Sequence, residues 1–194
     1  MKISATKTGG RRVLGALFLL LPAAAAAHNY SYVEGGFVNQ DQGRRSPGDE
    51  SGFRIAGSLD LAPPLALIGE FVDTGDFFQL GGGLLFHTPL SKVLDLNAGA
   101  TLEHMDTGRN DDLGVGVRGG VRWLALPSPR NFERLEATAE VRHLFIFSDS
   151  VTSLRAGALY RIAHNLDAQG AVQAGDDDRV EVGLRYNFNG GRSY

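Results

Sequence analysis

The chain has 194 residues, the length of a single ordinary domain, with 19 basic and 22 acidic residues and a net charge of −3. It contains no cysteine, which excludes disulfide bonds, thiolate metal ligands and a lipid anchor on an N-terminal cysteine. Because the charge balance is acidic, the sequence predicts no nucleic-acid partner.

The first 27 residues have the pattern of a secretory signal peptide. Four basic residues precede an apolar run that starts at Val13 and ends in the alanines of 23–27. This run is shorter than the ~20 residues that a membrane-spanning helix needs. We therefore predict a signal peptide over 1–27, cleavage before His28 and a mature domain over 28–194; an uncleaved anchor helix is the alternative. Since four of the 19 basic residues lie in the signal peptide, the mature domain keeps 15 basic and 22 acidic residues, a net charge of −7.

Hydrophobicity alternates with a period of two along the mature domain, which predicts strands because successive strand side chains point to opposite faces. Most of the predicted strands have about 8–13 residues, close to the ~9–11 of a tilted membrane-spanning strand. The connections between them are short and rich in Gly, Pro, Asn and Asp. In chain order the predicted strands are 30–38, 53–60, 65–72, 77–87, 94–103, 113–123, 135–147, 153–162, 166–174 and 179–188.

One face of each predicted strand is apolar, with His143 as its only clearly polar residue, and the other face is charged. The apolar faces contain many Gly and Ala, which would fill the core of a soluble sandwich poorly. Their aromatic residues fall near strand ends, as in the aromatic girdles of membrane barrels. One group is Phe37, Phe53, Phe71, Phe78 and Phe147, and the other is Phe86, Trp123, Tyr160, Tyr186 and Phe188.

These patterns predict an all-β fold: a closed antiparallel transmembrane β-barrel of ten strands, with both termini in the periplasm. A barrel of eight strands, with two weak front segments taken up in loops, is the first alternative. The second is a soluble sandwich, in which the charged faces would be the solvated surface.

Two short stretches carry a family resemblance. The segment Glu181-Val-Gly183-Leu-Arg-Tyr186-Asn-Phe188 resembles the C-terminal β-signal of bacterial outer-membrane barrels, although residues 189–194 follow a phenylalanine that is usually terminal. The mature start, Tyr30-x-Tyr32-Val33-Glu34-Gly35-Gly36-Phe37, resembles the opening of small proteins of the OmpA/OmpX-like superfamily. The resemblance implies a location in the outer membrane, assembly by the barrel machinery with Gly183, Tyr186 and Phe188 as the signal, and no single activity.

No motif predicts a catalytic, cofactor or metal site. The G-x-G-x-x-G run from Gly114 to Gly119 lies inside an alternating strand, whereas a dinucleotide site needs a helix after it. The acidic loop tips near Asp111 and Asp177 do not have calcium-loop spacing, and a divalent cation bridging them to lipid phosphates is an alternative to simple solvation. A rim hydrolase would have to use His104 with Asp106 or Asp111, on loops too short to form a cleft.

Inside a narrow barrel, the charged faces would form a balanced lumen network, in which the arginines pair with carboxylates such as Asp95, Glu136, Glu140 and Glu181. We therefore predict a non-enzymatic monomer with a largely filled lumen, a structural or surface-interaction role in the cell envelope, and outer-membrane lipid and lipopolysaccharide as partners. A narrow passive channel and a rim hydrolase are the alternatives. The predicted network is Glu34, Arg54, Glu70, Asp95, Arg118, Arg122, Glu136, Glu140, Arg142, Arg155, Arg161, Glu181 and Arg185.

Overall fold

A computed structural model of the chain describes residues 28–41, 49–108, 110–126, 134–146 and 148–188. The predicted signal peptide, Phe147 and the segment 189–194 lie outside the described residues. Within the described ranges, no helix is long and apolar enough to cross a membrane.

Ten antiparallel strands form a closed barrel in which each strand pairs with its neighbours in the chain and β1 pairs with β10. The predicted fold class is thus confirmed, with ten strands rather than eight. The strands are β1 (Tyr32–Asp41), β2 (Asp49–Ala62), β3 (Leu65–Asp73), β4 (Phe78–Pro89), β5 (Leu94–Asp106), β6 (Asp111–Leu126), β7 (Leu135–Ile146), β8 (Asp149–Ala163), β9 (Leu166–Gly175) and β10 (Asp178–Asn187).

The first strand begins later than predicted. Alternation suggests a start at residue 30, but β1 begins at Tyr32, which pairs with Asn187 of β10. Residues 28–31 leave the wall and turn into the lumen, where His28, Tyr30 and Ser31 are buried. The start of β1 and the end of β10 therefore lie at the same end of the barrel. Following the predicted orientation, we call it the periplasmic end and the opposite end the outer end.

The outside of the barrel is apolar, as the alternation predicts. Leu102, Leu113 and Phe37 expose 62%, 68% and 77% of their surface, which is unfavourable in water and favourable against lipid chains. The outer aromatic group is continuous, because the Phe71 ring lies 5.5 Å from that of Phe53 and 5.4 Å from that of Phe78. The exterior is therefore that of a membrane-spanning barrel.

The lumen contains three layers of side chains. A buried apolar layer, which we call the outer cluster, closes the outer end and consists of Val38, Val72, Phe77, Met105, Leu144, Ile146 and Val151. The charged residues occupy the middle. At the periplasmic end Tyr30 packs with Ala66 and Leu85, so the start of the described chain fills that opening.

Candidate functional site: the charged lumen

Glu34 anchors the network at the seam where β1 meets β10. Its carboxylate accepts hydrogen bonds from Arg185 Nε and Nη2, at 2.8 and 2.6 Å, and from Arg54 Nη1 at 2.6 Å. Glu34 and Arg185 are also direct partners in the strand register. Arg185 lies over the Tyr32 ring as well, 3.8 Å from its centroid. Two arginines from different strands thus neutralise one buried carboxylate.

Glu70 connects the two sides of the lumen. It accepts from Arg54 Nε of β2 at 3.0 Å and from Arg142 Nη2 of β7 at 2.5 Å. Arg118 Nη2 of β6 lies 3.7 Å from the same carboxylate. Because β7 is four strands away from β3 around the barrel, this ion pair braces the wall across its interior.

Glu103 is a fully buried residue of this network that the predicted set omits. It accepts hydrogen bonds from Thr101 Oγ1 at 2.7 Å and Gln79 Nε2 at 3.1 Å, and Arg118 and Arg142 each lie 3.5 Å away. Gly81 makes room for it, since a Cβ there would collide with the Glu103 carboxylate. Its inward position in the alternation of β5 is the signal that could have identified it.

The other predicted arginines of the middle layer lie beside carboxylates too. Arg155 donates to Glu181 from Nη2 at 2.8 Å and from Nε at 3.3 Å. Glu140 is held less firmly, with Arg118 Nη1 3.6 Å away and 28% of its side chain exposed. Each carboxylate of the middle layer therefore lies within 4 Å of at least one guanidinium.

A second polar group surrounds the periplasmic opening. Arg122 donates from Nε to Glu136 at 2.7 Å and from Nη1 to the Asn29 carbonyl at 2.8 Å. Farther round the wall, Arg161 Nε donates to Asp167 at 2.9 Å. These residues tie the opening to the segment that precedes β1.

Asp95 departs from the expected pairing. It lies directly opposite Arg122 in the register of β5 and β6, but Arg122 turns towards Glu136 instead. The Asp95 carboxylate is fully buried, and neither oxygen has a hydrogen-bond partner among the described residues.

Tyr30 lies in the middle of this opening. Its ring stacks on that of His87, with 3.8 Å between the centroids. The Arg122 guanidinium lies 4.5 Å from the centroid of the Tyr30 ring, in a cation–π contact. Burial raises the pKa of Tyr30 to about 12, against the opposing effect of Arg122. The phenol hydroxyl has no hydrogen-bond partner in the described part of the chain.

Little free space remains in the lumen. Two polar cavities of about 70 and 60 Å³ lie between the charged side chains, which is room for a few water molecules. A larger apolar groove, about 560 Å³, lies on the outside, where Leu96, Ala98, Val121 and Val141 face lipid. The arrangement can therefore hold water and rigidify the wall, and these two cavities are too small for a solute.

The residues of the alternative hydrolase site at the outer end lie on the surface. His104 Nδ1 lies 3.3 Å from Asp111 Oδ1, on exposed side chains. The described residues contain no group of three or more His, Asp or Glu arranged to hold a metal ion. The G-x-G-x-x-G run lies within β6, in the wall rather than before a helix.

The three assembly-signal residues lie on the last strand and at its end. Gly183 is opposite Gly36 of β1, and a Cβ at Gly183 would collide with the backbone of Gly35 and Gly36. Tyr186 and Phe188 point outwards with their rings 5.8 Å apart. The signal segment is thus part of the closing seam, and its role in assembly stays a prediction.

No protein-family model and no curated protein matches the chain. Solved structures of bacterial outer-membrane barrels do resemble it. The KdgM porin in complex with disordered oligogalacturonate is 15% identical with a TM-score of 0.49, covering 81% of this chain and 99% of that one. Ail, the attachment invasion locus protein of Yersinia pestis, is 14% identical with a TM-score of 0.35, covering 81% and 97%.

The outer-membrane protein Omp33 of Acinetobacter baumannii is 10% identical with a TM-score of 0.41, covering 82% of this chain and 99% of that one. These likenesses concern the barrel fold alone. A closed barrel with an apolar exterior and a charged interior is the architecture of outer-membrane proteins.

Proposed function

We propose that the chain is an integral outer-membrane barrel of the OmpA/OmpX-like type, with a structural or surface-interaction role in the cell envelope and a lumen that does not conduct. Its surroundings would be outer-membrane lipid and lipopolysaccharide, and the barrel-assembly machinery would insert it. It would act as a monomer without catalysis.

The observation that carries this proposal is the obstruction of the lumen at three levels. The outer cluster closes one end, the Glu34, Glu70 and Glu103 ion pairs cross the middle, and Tyr30 fills the other end. A solute would have to displace all three layers, and separating buried ion pairs costs several kcal/mol for each charge left alone.

The balance of charge supports the same proposal. A selective pore is usually lined by a ring of one sign, whereas here arginines and carboxylates alternate and pair at distances down to 2.5 Å. Paired charges of both signs stabilise one another and leave little field to attract an ion of either sign.

The outer end offers a surface for contacts outside the cell. Its described connections and strand ends carry carboxylates, among them Asp76, Asp106, Asp111, Asp176 and Asp177. We expect these side chains to be solvated, as is usual for a run of acidic residues, with a divalent cation bridging them to lipid phosphates as the alternative. His104 and Asp111 are exposed on the barrel surface, which favours a contact role over catalysis.

Conductance in a planar bilayer tests the proposal. The mature protein, purified from outer membranes, should insert and give no large, stable conductance steps, while a porin inserted under the same conditions gives them. Large stable steps from the wild-type protein would contradict the filled lumen and support the passive channel, in which the same Arg and Glu residues would line a pore.

A further inference from the structure

The segment 28–31 is held inside the periplasmic opening by four strands and by the residue that follows the last strand. His28 Nδ1 lies 3.0 Å from Glu136 of β7, and the Asn29 carbonyl accepts from Arg122 of β6. Tyr30 stacks on His87 of β4, while Ser31 Oγ accepts from the Asp60 backbone of β2 at 3.1 Å and its carbonyl accepts from Phe188 N, just after β10, at 3.0 Å. The segment therefore occupies a binding site formed by the wall.

That site has a surplus of negative charge. The carboxylates facing it are Asp60, Asp95 and Glu136, whereas Arg122 is the strand arginine that contacts the segment directly. Glu136 and Asp60 have partners, Arg122 and His87 respectively. Asp95 has none among the described residues, although it is completely buried. A buried carboxylate in this state is costly and requires an explanation.

Asp95 is the register partner of Arg122, whose Nη1 donates to the Asn29 carbonyl, so the Asp95 carboxylate lies beside the segment that begins at His28. Cleavage before His28, as the sequence predicts, would create an α-ammonium group on the same residue. An ammonium group offers three hydrogen-bond donors and a full positive charge, which would compensate a buried carboxylate that has no other partner.

We propose that the periplasmic opening is a binding site for the free N-terminus of the mature chain, and that the α-ammonium group of His28 is the counter-ion of Asp95. Removal of the signal peptide then does more than release the protein. It creates the charge that completes the site and fixes residues 28–31 in the opening.

Amine reactivity tests this directly, because Lys92 is the only lysine of residues 28–194 and is exposed. Mature protein purified in detergent is treated with an amine-reactive ester, and labelling of the α-amine relative to Lys92 is followed by mass spectrometry. The α-amine should react at least tenfold more slowly in the wild type than in Asp95→Asn. The matched control Glu140→Gln removes a lumen carboxylate that does not contact residues 28–31 and should leave the α-amine protected.

A second variant keeps the test decisive if Asp95→Asn assembles poorly. A Gly-Ser extension before His28 moves the ammonium group away from Asp95, so it should label as fast as Lys92 and lower the unfolding temperature. In an assembled Asp95→Asn background the same extension should cause little further loss, because coupled partners are not additive.

Three results would overturn the proposal: a mature protein that starts elsewhere than residue 28, equal α-amine labelling in wild type and Asp95→Asn, or fully additive thermal effects. The second would leave an ordered water as the partner of Asp95. None of them bears on conductance, so this proposal and the non-conducting lumen succeed or fail separately.

Discussion

The middle of the lumen and its periplasmic end are both buried and polar, yet they obtain their partners differently. In the middle, Glu70 and Glu103 are neutralised by Arg118 and Arg142, all of which belong to wall strands. At the periplasmic end, Arg122 pairs with Glu136 within the wall, but residues 28–31, which precede the first strand, add further contacts, and Asp95 is left without a partner in the described structure.

This difference shows which part of the interior depends on strand alternation alone. The middle layer is complete once the barrel is closed, because every group in it is fixed to the wall. The periplasmic layer needs residues 28–31 as an additional component. Substitutions in the middle should therefore change the free energy of unfolding most. Substitutions at the periplasmic end should change how readily water-soluble reagents enter the lumen.

The largest effect should follow from breaking the middle layer. Glu70→Ala removes the shortest ion pair of Arg142 and a 3.0 Å ion pair of Arg54, and breaking a buried ion pair by removing one partner costs about 3–5 kcal/mol. We expect a large loss in the free energy of unfolding, measured by urea denaturation in detergent.

Glu140→Ala is the matched control for that experiment. Glu140 is partly exposed and lies 3.6 Å from its arginine, so its removal should cost about 0–1 kcal/mol. Equal losses of unfolding free energy from the two substitutions would show that the cross-lumen ion pairs stabilise the protein no more than a partly exposed pair does.

An intermediate effect should follow at the periplasmic end. Tyr30→Ala removes a buried ring that stacks on His87 and packs with Leu85. We expect a loss of about 2 kcal/mol, at the low end for a large core side chain because the freed segment can swing out into water.

Access can be measured in the same background. A cysteine placed at Leu85 should react with a water-soluble maleimide at least tenfold faster when Tyr30 is Ala, whereas a cysteine at Met105, in the outer cluster, should stay protected. If both cysteines react faster, the two ends of the lumen do not open independently.

The smallest effect should come from Tyr30→Phe. The hydroxyl has no partner among the described residues, so its removal should change stability little at pH 7. The pKa of Tyr30 is raised to about 12 in the folded protein, against ~10 when unfolded. The wild type should therefore lose stability as pH rises from 10 towards 12, because only the unfolded chain releases the phenol proton there.

Tyr30→Phe lacks this proton and should be more stable than the wild type by about 1 kcal/mol near pH 11. Unfolding by urea at pH 7 and pH 11 measures the difference. An identical pH dependence in both proteins would contradict the burial of this phenol.

The strands and their faces could be predicted from the sequence because side-chain direction has a period of two, which needs no knowledge of the partner strand. Which arginine pairs with which carboxylate could not be predicted. Arg142 reaches Glu70 across the lumen, a distance that depends on barrel closure, and Asp95 fails to pair with Arg122 although the two are register partners.

The layers at the two ends illustrate the same limit. The inward direction of Val72, Met105 and Leu144 could be predicted from the alternation. That they pack together at one level of the lumen could not, because it depends on the stagger between strands. Tyr30 also has inward parity in the predicted strand 30–38. Its departure from the wall was not predictable, because it depends on contacts with His87 and Arg122, which are far away in sequence.

The seam between β1 and β10 has a consequence for how the protein enters the membrane. Glu34 and Arg185 lie on the first and last strands, and their ion pair exists only after those strands meet. Before that, Glu34 on one edge would keep only Arg54 of β2 as a partner, and Arg185 on the other edge would be a bare guanidinium, which is strongly disfavoured in lipid. The two edges thus carry complementary charges that favour joining to each other over joining to a second copy. Insertion should proceed as one all-or-none event, without a long-lived half-closed intermediate.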